Sequence, residues 1–449
     1  MTPVCRAATL SLAASCWLAS LTFAQDTAAV PPGASAAPAP LMTPIVQSGL
    51  DVDGTAFHYQ PSAFVSELCD PLAPICCEPP RFWVGAEYLL WTIRPGPLPV
   101  PVATTSTLIP PPVTGAVGRL GEPGTVVVLG NQDLNYGTFS GLRMNVGYLI
   151  SPSAGISLEG SGFFLERRTD DNFAVTDDQG NNLLAIPVVN VLSGNEGRAI
   201  YGFPGEFIGG IGISSGSRLW SAETNAALLG IAERGAWRFD LLAGFRYADL
   251  NENVGIGAST FIIGQGFLST YRDIQLFPGD TIITQDNFRA RNQFYGGQIG
   301  LRAETTFGRF FLQGVAKIAL GGTRQRLEID GLTTVVASGV VLQDQGGVFA
   351  SPTNIGSYSR SQFSVLPEAG VTLGWQLNEA VRVGVGYTFL YWTNVARPGE
   401  QIDRVINPTF LPTTRDFSVT PFGPIRPLPT GDRSDFWAQG INFSLEVRF

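Results

Sequence analysis

Acidic and basic side chains recur at alternating positions through residues 82–449, and their types and spacing could support chemistry. Those on one parity are Glu87, Arg143, Glu159, Arg238, Asp240, Arg246, Arg302, Glu304, Lys317, Glu368 and Arg382. A pair of carboxylates can act as general acid and general base. Because arginine and lysine are interleaved with these carboxylates, we expect ion-pair networks, and paired catalytic carboxylates are the alternative.

The histidine content restricts catalysis further. Hydrolases that cleave lipids or peptides generally use a histidine base, and the only histidine of this chain is His58. No Ser/His or Asp/His site can therefore form within residues 81–449. The sequence predicts no catalytic residue, no cofactor and no enzyme activity.

Three cysteines, Cys69, Cys76 and Cys77, precede the alternating region. In an oxidising compartment Cys69 can form a disulfide with Cys76 or Cys77, and the third thiol can pair between chains. A metal site is the alternative reading, but these thiols have no fourth ligand close by in the sequence. We therefore predict a disulfide and no metal.

The N-terminal segment has the features of an export signal. Residues 1–24 combine Arg6, an apolar stretch and the small-residue ending Thr22-Phe23-Ala24, which predicts a signal peptide. A lipoprotein signal at Cys16 is the alternative, but it lacks the usual leucine. Residues 25–80 are rich in proline and alanine and predict an extended periplasmic tether.

Composition narrows the class of the exported part. Charged residues make up 14% of the chain and aromatic residues 11%, with 53 glycines, and no apolar run long enough for a membrane helix follows the N-terminus. A β-barrel fits this composition, because its apolar residues alternate rather than cluster. The net charge of −9 argues against a nucleic-acid partner.

A period of two from Arg81 onward predicts strands. We predict ten, at 82–93, 135–150, 154–167, 220–232, 236–250, 292–306, 309–323, 361–377, 380–393 and 435–449. Short turns and long polar connections alternate between them, which is typical of an all-β, antiparallel up-and-down transmembrane β-barrel with short periplasmic turns and long extracellular loops. Two β-prone segments at 125–129 and 333–336 would raise the number to twelve. Pro367 predicts a bulge.

The faces of these strands can be assigned. In 236–250, aromatic and aliphatic residues such as Trp237, Phe245 and Tyr247 share one parity, while Arg238 and Asp240 share the other. This predicts lipid outside and a polar lumen, lined by the eleven charged residues named above. Aromatic residues near the strand ends, such as Trp220, Tyr295 and Trp375, are expected at the lipid headgroups.

The final segment alternates most clearly. Ile441, Phe443, Leu445, Val447 and Phe449 share one parity. They resemble the terminal strand that the barrel-assembly machinery of the bacterial outer membrane recognises. We expect them to face outer-membrane lipid, and we expect the strand to pair with residues 82–93 and close the ring.

Six separated segments then resemble one family. They are 82–91 (FWVGAEYLLW), 292–298 (NQFYGGQ), 366–370 (LPEAG), 386–392 (GYTFLYW), 402–408 (IDRVINP) and 434–443 (SDFWAQGINF). Over residues 82–449 the chain is similar to the putative beta-barrel porin-7 family. The resemblance implies an outer-membrane barrel and brings no catalytic residues with it.

Two functions agree with these predictions. The first is a porin or narrow channel for small solutes, lined by the mixed charges. The second is a non-conducting structural barrel that interacts through its long extracellular loops. Barrels of roughly eight strands are filled by side chains, whereas 16–18 strands leave an aqueous channel. Ten strands lie near the filled end of that range.

Overall fold

The computed structural model describes residues 81–449, except 109–116, 178–180, 267, 268 and 273. Ten antiparallel strands form a closed ring in which each strand pairs with the ring strands before and after it. They are β1 (Phe82–Ile93), β2 (Thr138–Ser151), β3 (Ile156–Leu165), β4 (Phe207–Arg234), β5 (Trp237–Ile262), β6 (Thr281–Phe307), β7 (Phe310–Ala337), β8 (Gly356–Gln376), β9 (Val381–Val395) and β10 (Ser434–Arg448). The predicted up-and-down β-barrel is confirmed.

The seam of the ring lies between β1 and β10, as expected. Trp83 stands opposite Arg448, and the register continues without a shift to Ile93. Trp91 Nε1 donates to Asn442 Oδ1 at 2.7 Å, and Asn442 Nδ2 donates to Thr388 Oγ1 at 2.7 Å. Buried side-chain hydrogen bonds therefore join β1, β10 and β9.

Short and long connections alternate around the ring. Residues 152–155, 235–236, 308–309 and 377–380 form the short turns, at what we call the inner end. Residues 94–137, 166–206, 263–280, 338–355 and 396–433 form the long connections, at the outer end. The first and last ring strands also meet at the inner end, where Phe82 N donates to Phe449 O at 3.2 Å.

Four strands extend further outward than the sequence predicted. β4 begins at Phe207, β5 ends at Ile262, β6 begins at Thr281 and β7 ends at Ala337, so the predicted boundaries near 220, 250, 292 and 323 were wrong. The cause is an inversion of the apolar face. In β5 the exposed apolar parity ends at Tyr247, and beyond it the buried parity carries Leu250, Val254 and Ile256.

The bulge predicted at Pro367 is absent. Pro367 pairs with Ile318 of β7 in an uninterrupted register, and the pairing of β8 with β9 starts only at Glu368. The missing N–H of the proline therefore falls where the β9 ladder ends. The ring also stays at ten strands: Thr125–Gly130 forms a strand outside it, and residues 333–336 belong to β7.

The outer connections have secondary structure of their own. A separate five-stranded sheet contains Pro101–Ser106, Thr125–Gly130, Leu184–Asn190, Asn195–Gly202 and Val405–Ile406. Arg168–Val175 pairs with β4, Val340–Gln345 pairs with β7, and Thr270–Tyr271 pairs with Ile274–Gln275. Two 3-10 turns, Pro398–Gln401 and Pro408–Phe410, lie in the last connection.

A hydrophobic core fills the outer part of the barrel. Ring residues such as Trp91, Phe294 and Trp392 belong to one buried cluster with Leu98 and Ile402 of the connections. Trp392 Nε1 donates to Thr323 Oγ1 at 2.9 Å, so its polar atom is satisfied within this core. The connections are therefore packed against the ring strands.

The outward surface of the ring carries an exposed apolar belt. It includes Leu241, Phe245, Ile299, Leu301, Leu320, Leu373, Val385 and Phe443. Aromatic rings border the belt on both sides. On the outer side, Tyr247 lies 4.8 Å from Trp220 and 5.0 Å from Tyr295, and on the inner side Phe310 lies 6.1 Å from Trp375, all between ring centroids. This is the pattern of a lipid-facing barrel.

The predicted signal peptide (1–24), the tether (25–80), His58, Cys69, Cys76 and Cys77 lie outside the described residues. In the part that the structure describes, no helix is sufficiently long and apolar to cross a membrane. The same residues contain no group of three or more histidine, cysteine or acidic side chains placed to hold a metal ion.

Asp286 fixes one outer connection to the ring. Its Oδ1 accepts from Phe349 N at 3.0 Å and Ala350 N at 2.7 Å, and its Oδ2 accepts from Val348 N at 3.1 Å. The side chain lies in the outer extension of β6, beyond Tyr295 and the apolar belt. Burial raises the pKa of Asp286 to about 7, against the lowering effect of the three backbone hydrogen bonds.

A pH dependence of stability follows from this carboxyl. Because its pKa is higher in the folded chain than in the unfolded chain, its contribution to stability is full below pH 4 and is lost as the pH rises through about 7. We expect the free energy of unfolding to be about 2 kcal/mol lower at pH 8 than at pH 5. Urea unfolding at both pH values measures this, and Asp286→Asn should remove the difference. An unchanged difference in that variant would assign the effect to another group.

Candidate functional site: the charged lumen

The charged side chains of the inner half of the barrel project into its lumen from register-matched positions. Glu87 stands opposite Arg143, Lys317 opposite Glu368, Arg246 opposite Glu223, Asp240 opposite Arg302 and Arg238 opposite Glu304. Alternation places these residues on the inward face, and the antiparallel register places an acid beside a base on the next strand. Ion pairs are thus built into neighbouring strands.

The first network, further from the inner end, centres on Glu368 of β8. Its Oε2 accepts from Arg246 Nη2 at 2.5 Å, and its Oε1 lies 3.3 Å from Lys317 Nζ and 3.7 Å from Arg143 Nη2. Glu223 completes the network, since its carboxylate lies 2.7 Å from Lys317 Nζ and 3.6 Å from Arg246 Nη1. β2 and β5 are not neighbours of β8, so these contacts cross the lumen.

The second network, closer to the inner end, centres on Arg302 of β6. Its guanidinium contacts Glu159 at 2.8 Å and Asp240 at 2.9 Å. Arg238 lies 3.4 Å from Asp240 and 3.8 Å from Glu304, so it links these two carboxylates. Arg382 lies 3.3 Å from Glu304. The contacts from β6 to β3 and from β9 to β6 again cross the lumen.

All eleven charged residues selected from the sequence lie in these two networks. The first holds three carboxylates (Glu87, Glu223, Glu368) and three cations (Arg143, Arg246, Lys317). The second likewise holds three carboxylates (Glu159, Asp240, Glu304) and three cations (Arg238, Arg302, Arg382). Each network is therefore formally neutral. Neither leaves a carboxylate pair free of arginine or lysine.

Glu223 is the member that sequence reasoning missed. With Trp220 on the outward parity of β4, the odd-numbered positions from 221 onward face the lumen. The parity argument could therefore have found it.

Little space remains at the first network. A cavity of about 10 Å³ is lined by Arg143, Ser161, Phe163, Ser221, Glu223, Arg246, Lys317 and Glu368. About this volume is needed to hold one water molecule. The lumen is consequently filled by its own charged side chains at this level.

The last outer connection, residues 396–433, is held inside the ring on the outer side of these networks. Arg397 and Glu252 form an ion pair in which both side chains are almost fully buried, with Arg397 Nη2 donating to Glu252 Oε1 at 2.9 Å. The same Nη2 donates to the carbonyls of Arg94 at 3.3 Å and Pro95 at 3.2 Å. Arg397 thereby connects β5, the first outer connection and the last one.

Asn292 of β6 holds the adjoining backbone. Its Nδ2 donates to Ala396 O at 2.8 Å, and its Oδ1 accepts from Ala396 N at 2.8 Å. Both groups are buried, so the connection is satisfied by the barrel wall rather than by water. This connection therefore lies inside the outer end of the ring, on the outer side of the two networks.

The proposed assembly residues lie on the outward face of β10. Ile441, Phe443, Leu445 and Phe449 are exposed, and Val447 is half-buried. Their inward neighbours include Asn442, whose side chain is buried at the seam. The geometry suits a strand that faces lipid, while recognition by assembly machinery stays a prediction.

Several solved structures are similar to this chain at low sequence identity and low TM-score. It is similar to the outer-membrane protease OmpT of Escherichia coli at 12% identity and a TM-score of 0.37, covering 83% of this chain and 97% of that one. Its similarity to a mutant of TodX, a monoaromatic hydrocarbon channel of P. putida, has 7% identity and a TM-score of 0.20, with 83% and 90% covered. Its similarity to the toluene transporter TbuX of Ralstonia pickettii has 9% identity and a TM-score of 0.14, covering 83% of this chain and 90% of that one. No curated protein sequence matches the chain.

A family model, described as putative beta barrel porin-7, matches residues 83–449. The match begins at the second residue of β1 and includes all the other ring strands. Together with the closed ring and its apolar belt, it places the protein in the bacterial outer membrane, where barrels of this kind have their short turns on the periplasmic side. The chain is a member of the putative beta barrel porin-7 family.

Proposed function

We propose that this protein is a non-conducting outer-membrane barrel that acts through its outer connections, as a contact surface toward the cell envelope, neighbouring proteins or other cells. One observation carries the proposal: oppositely charged side chains join across the lumen and leave a cavity of about 10 Å³ at the first network. A diffusion pore needs a continuous water column. Ion pairs that bridge non-adjacent strands interrupt it.

The outer connections offer a defined surface for contact. Val419, Phe422 and Ile425 are exposed by 86%, 61% and 62%. Their segment is held in place, since Asn407 Nδ2 donates to Phe422 O at 2.7 Å and to Pro424 O at 2.9 Å. Exposed apolar side chains on a fixed backbone are typical of protein contact sites. This supports a role in binding rather than in transport.

The proposal predicts that the folded barrel is electrically silent. Refolded full-length protein, shown to be folded by heat-modifiable gel migration, should give no conductance steps in a planar lipid bilayer. A conducting porin reconstituted by the same protocol shows that insertion and recording work. The expected reason is that ion pairs across the lumen interrupt the water column at both networks.

Reproducible conductance steps would overturn the proposal in favour of the porin function for small solutes. Arg302→Gln and Glu304→Gln would then change the size or ion selectivity of the steps, because both side chains lie in the path. Arg234→Gln serves as a matched control, since Arg234 is exposed at a periplasmic turn. Absence of conductance by the refolded chain, together with normal heat modification, supports the contact function.

A further inference from the structure

Arginines collect on the outward face of the barrel immediately outside the outer aromatic row of Trp220, Tyr247 and Tyr295. Six of them, which we call the arginine patch, are Arg167, Arg218, Arg289, Arg291, Arg324 and Arg326. All six are exposed. They do not face the lumen, so neither charged network includes them.

The strand registers bring the patch together. One cross-strand row runs from Arg218 of β4 through Asn251 of β5 and Arg291 of β6 to Arg326 of β7. Arg324 lies in the row next to it on the aromatic side, opposite Gln293. Neighbouring strands are about 4.8 Å apart, so a single headgroup can reach side chains from two or three of them.

The remaining two arginines extend the patch one row outward. Arg289 pairs in register with Asn253 of β5, and Arg167 Nη2 donates to Asn253 Oδ1 at 2.8 Å. An amide oxygen does not compensate the charge of the guanidinium. The patch therefore covers three consecutive rows on one face.

Carboxylates on these rows compensate only part of the charge. Asp249 lies 2.7 Å from Arg291, and Glu328 lies 2.6 Å from Arg326. Asp330, one row further outward, lies 3.6 Å from Arg289. Six cations against three carboxylates leave three positive charges, in a chain whose net charge is −9. Among the described residues, Arg218 and Arg324 have no hydrogen-bond or ion-pair partner. Asp171 lies in the same outward row as Asp330.

The surface on the membrane side of the patch is apolar. Below the aromatic row lie Phe245, Ile299 and Leu320, which are exposed by 48%, 62% and 49%. A ligand that fits both surfaces has hydrocarbon chains against the belt and an anionic group about two residues further outward. Guanidinium groups bind phosphate in a bidentate geometry, so a phosphate matches the patch better than an isolated carboxylate does.

We propose that the arginine patch binds the phosphate headgroup of an anionic lipid in the outer leaflet. The bound lipid lies with its chains along the belt beside β5, β6 and β7. Arg218 and Arg324 contribute most to its capture, because neither has an ion-pair partner among the described residues. Each basic side chain near an anionic membrane surface contributes about 1 kcal/mol to binding.

Lipid binding to the refolded full chain tests this. The protein in nonionic detergent micelles is titrated with phosphatidic acid, with diacylglycerol of the same chains, and with inorganic phosphate, and bound lipid is counted by native mass spectrometry. We expect phosphatidic acid to bind, and the double variant Arg218→Gln/Arg324→Gln to bind it about 10- to 30-fold more weakly. Arg234→Gln/Arg309→Gln removes the same charge at the periplasmic turns and should bind like the unmodified chain.

Each other outcome contradicts the proposal. Equal loss in both double variants would indicate general electrostatics, and no loss in either would place the lipid elsewhere. Equal binding of diacylglycerol would show that the phosphate is not recognised. If inorganic phosphate displaces the lipid at similar concentration, the patch is a site for free phosphate. Heat-modifiable migration shows that both variants, which change exposed side chains, are folded.

Discussion

Replacing Glu368 with alanine is expected to lower the free energy of unfolding by about 3–5 kcal/mol, because it removes one partner from a buried ion-pair network. Arg246, Lys317 and Arg143 all contact this carboxylate, and its side chain is only 3% exposed. Without it, three cations share two carboxylates in the interior of the barrel. Urea unfolding in detergent micelles, followed by heat-modifiable migration, measures the loss.

A matched variant separates this effect from the loss of any glutamate. Glu328 pairs with Arg326 on the outer surface, where their side chains are 35% and 56% exposed. Since exposed pairs contribute about 0–1 kcal/mol, Glu328→Ala should change stability little. Similar losses in both variants would mean that the lumen network does not stabilise the barrel. A smaller loss for Glu368→Gln than for Glu368→Ala would show that hydrogen bonding retains part of the network.

The second large effect is expected from Arg397→Ala in the last outer connection. The substitution leaves Glu252 buried without its cation, at a cost of about 3–5 kcal/mol. It also removes the hydrogen bonds to Arg94 O and Pro95 O. We expect the connection 396–433 to open locally while the membrane part of the ring stays folded.

Limited proteolysis measures that opening. Chymotrypsin should cut the variant within 396–433, where Phe410 and Phe417 offer sites, faster than it cuts the unmodified chain. Arg426→Ala is the control, because Arg426 pairs with Asp403 with 40% of its side chain exposed. If both variants are cut at the same rate, Arg397 does not hold the connection. Intact heat modification of Arg397→Ala distinguishes local opening from global unfolding.

Much of the ring could be predicted because the evidence for it is local. Within the membrane part of β5, each outward residue from Trp237 to Tyr247 is apolar or aromatic. This alternation can be recognised from the sequence of the strand itself, without knowing which strands pair with it. The alternation of short and long connections then ordered the strands. Beyond Tyr247 the same strand turns its polar residues outward. Asn251, Asn253 and Gly257 there have the composition of a loop, so the extension was missed.

The same distinction applies to the candidate site: the face on which each charged residue lies could be predicted, but its partner across the lumen could not. The inward parity identified Arg302 and Glu304 because it depends only on their own strand. Which carboxylate Arg302 meets across the lumen depends on how the ring closes, and Glu159 is 143 residues away in the chain. The pair of Arg397 and Glu252 joins a connection to a strand extension, and neither segment has a regular pattern that points to the other.

The seam between β1 and β10 has a consequence for the time course of assembly. Trp91 and Asn442, which meet there, are 351 residues apart. Contacts so distant in sequence form slowly, because the intervening chain must first be ordered. Until β10 arrives, β1 has a free edge whose backbone groups can pair with any other extended chain. The nascent barrel is therefore exposed to incorrect strand pairing for the whole interval between synthesis of its first strand and docking of its last.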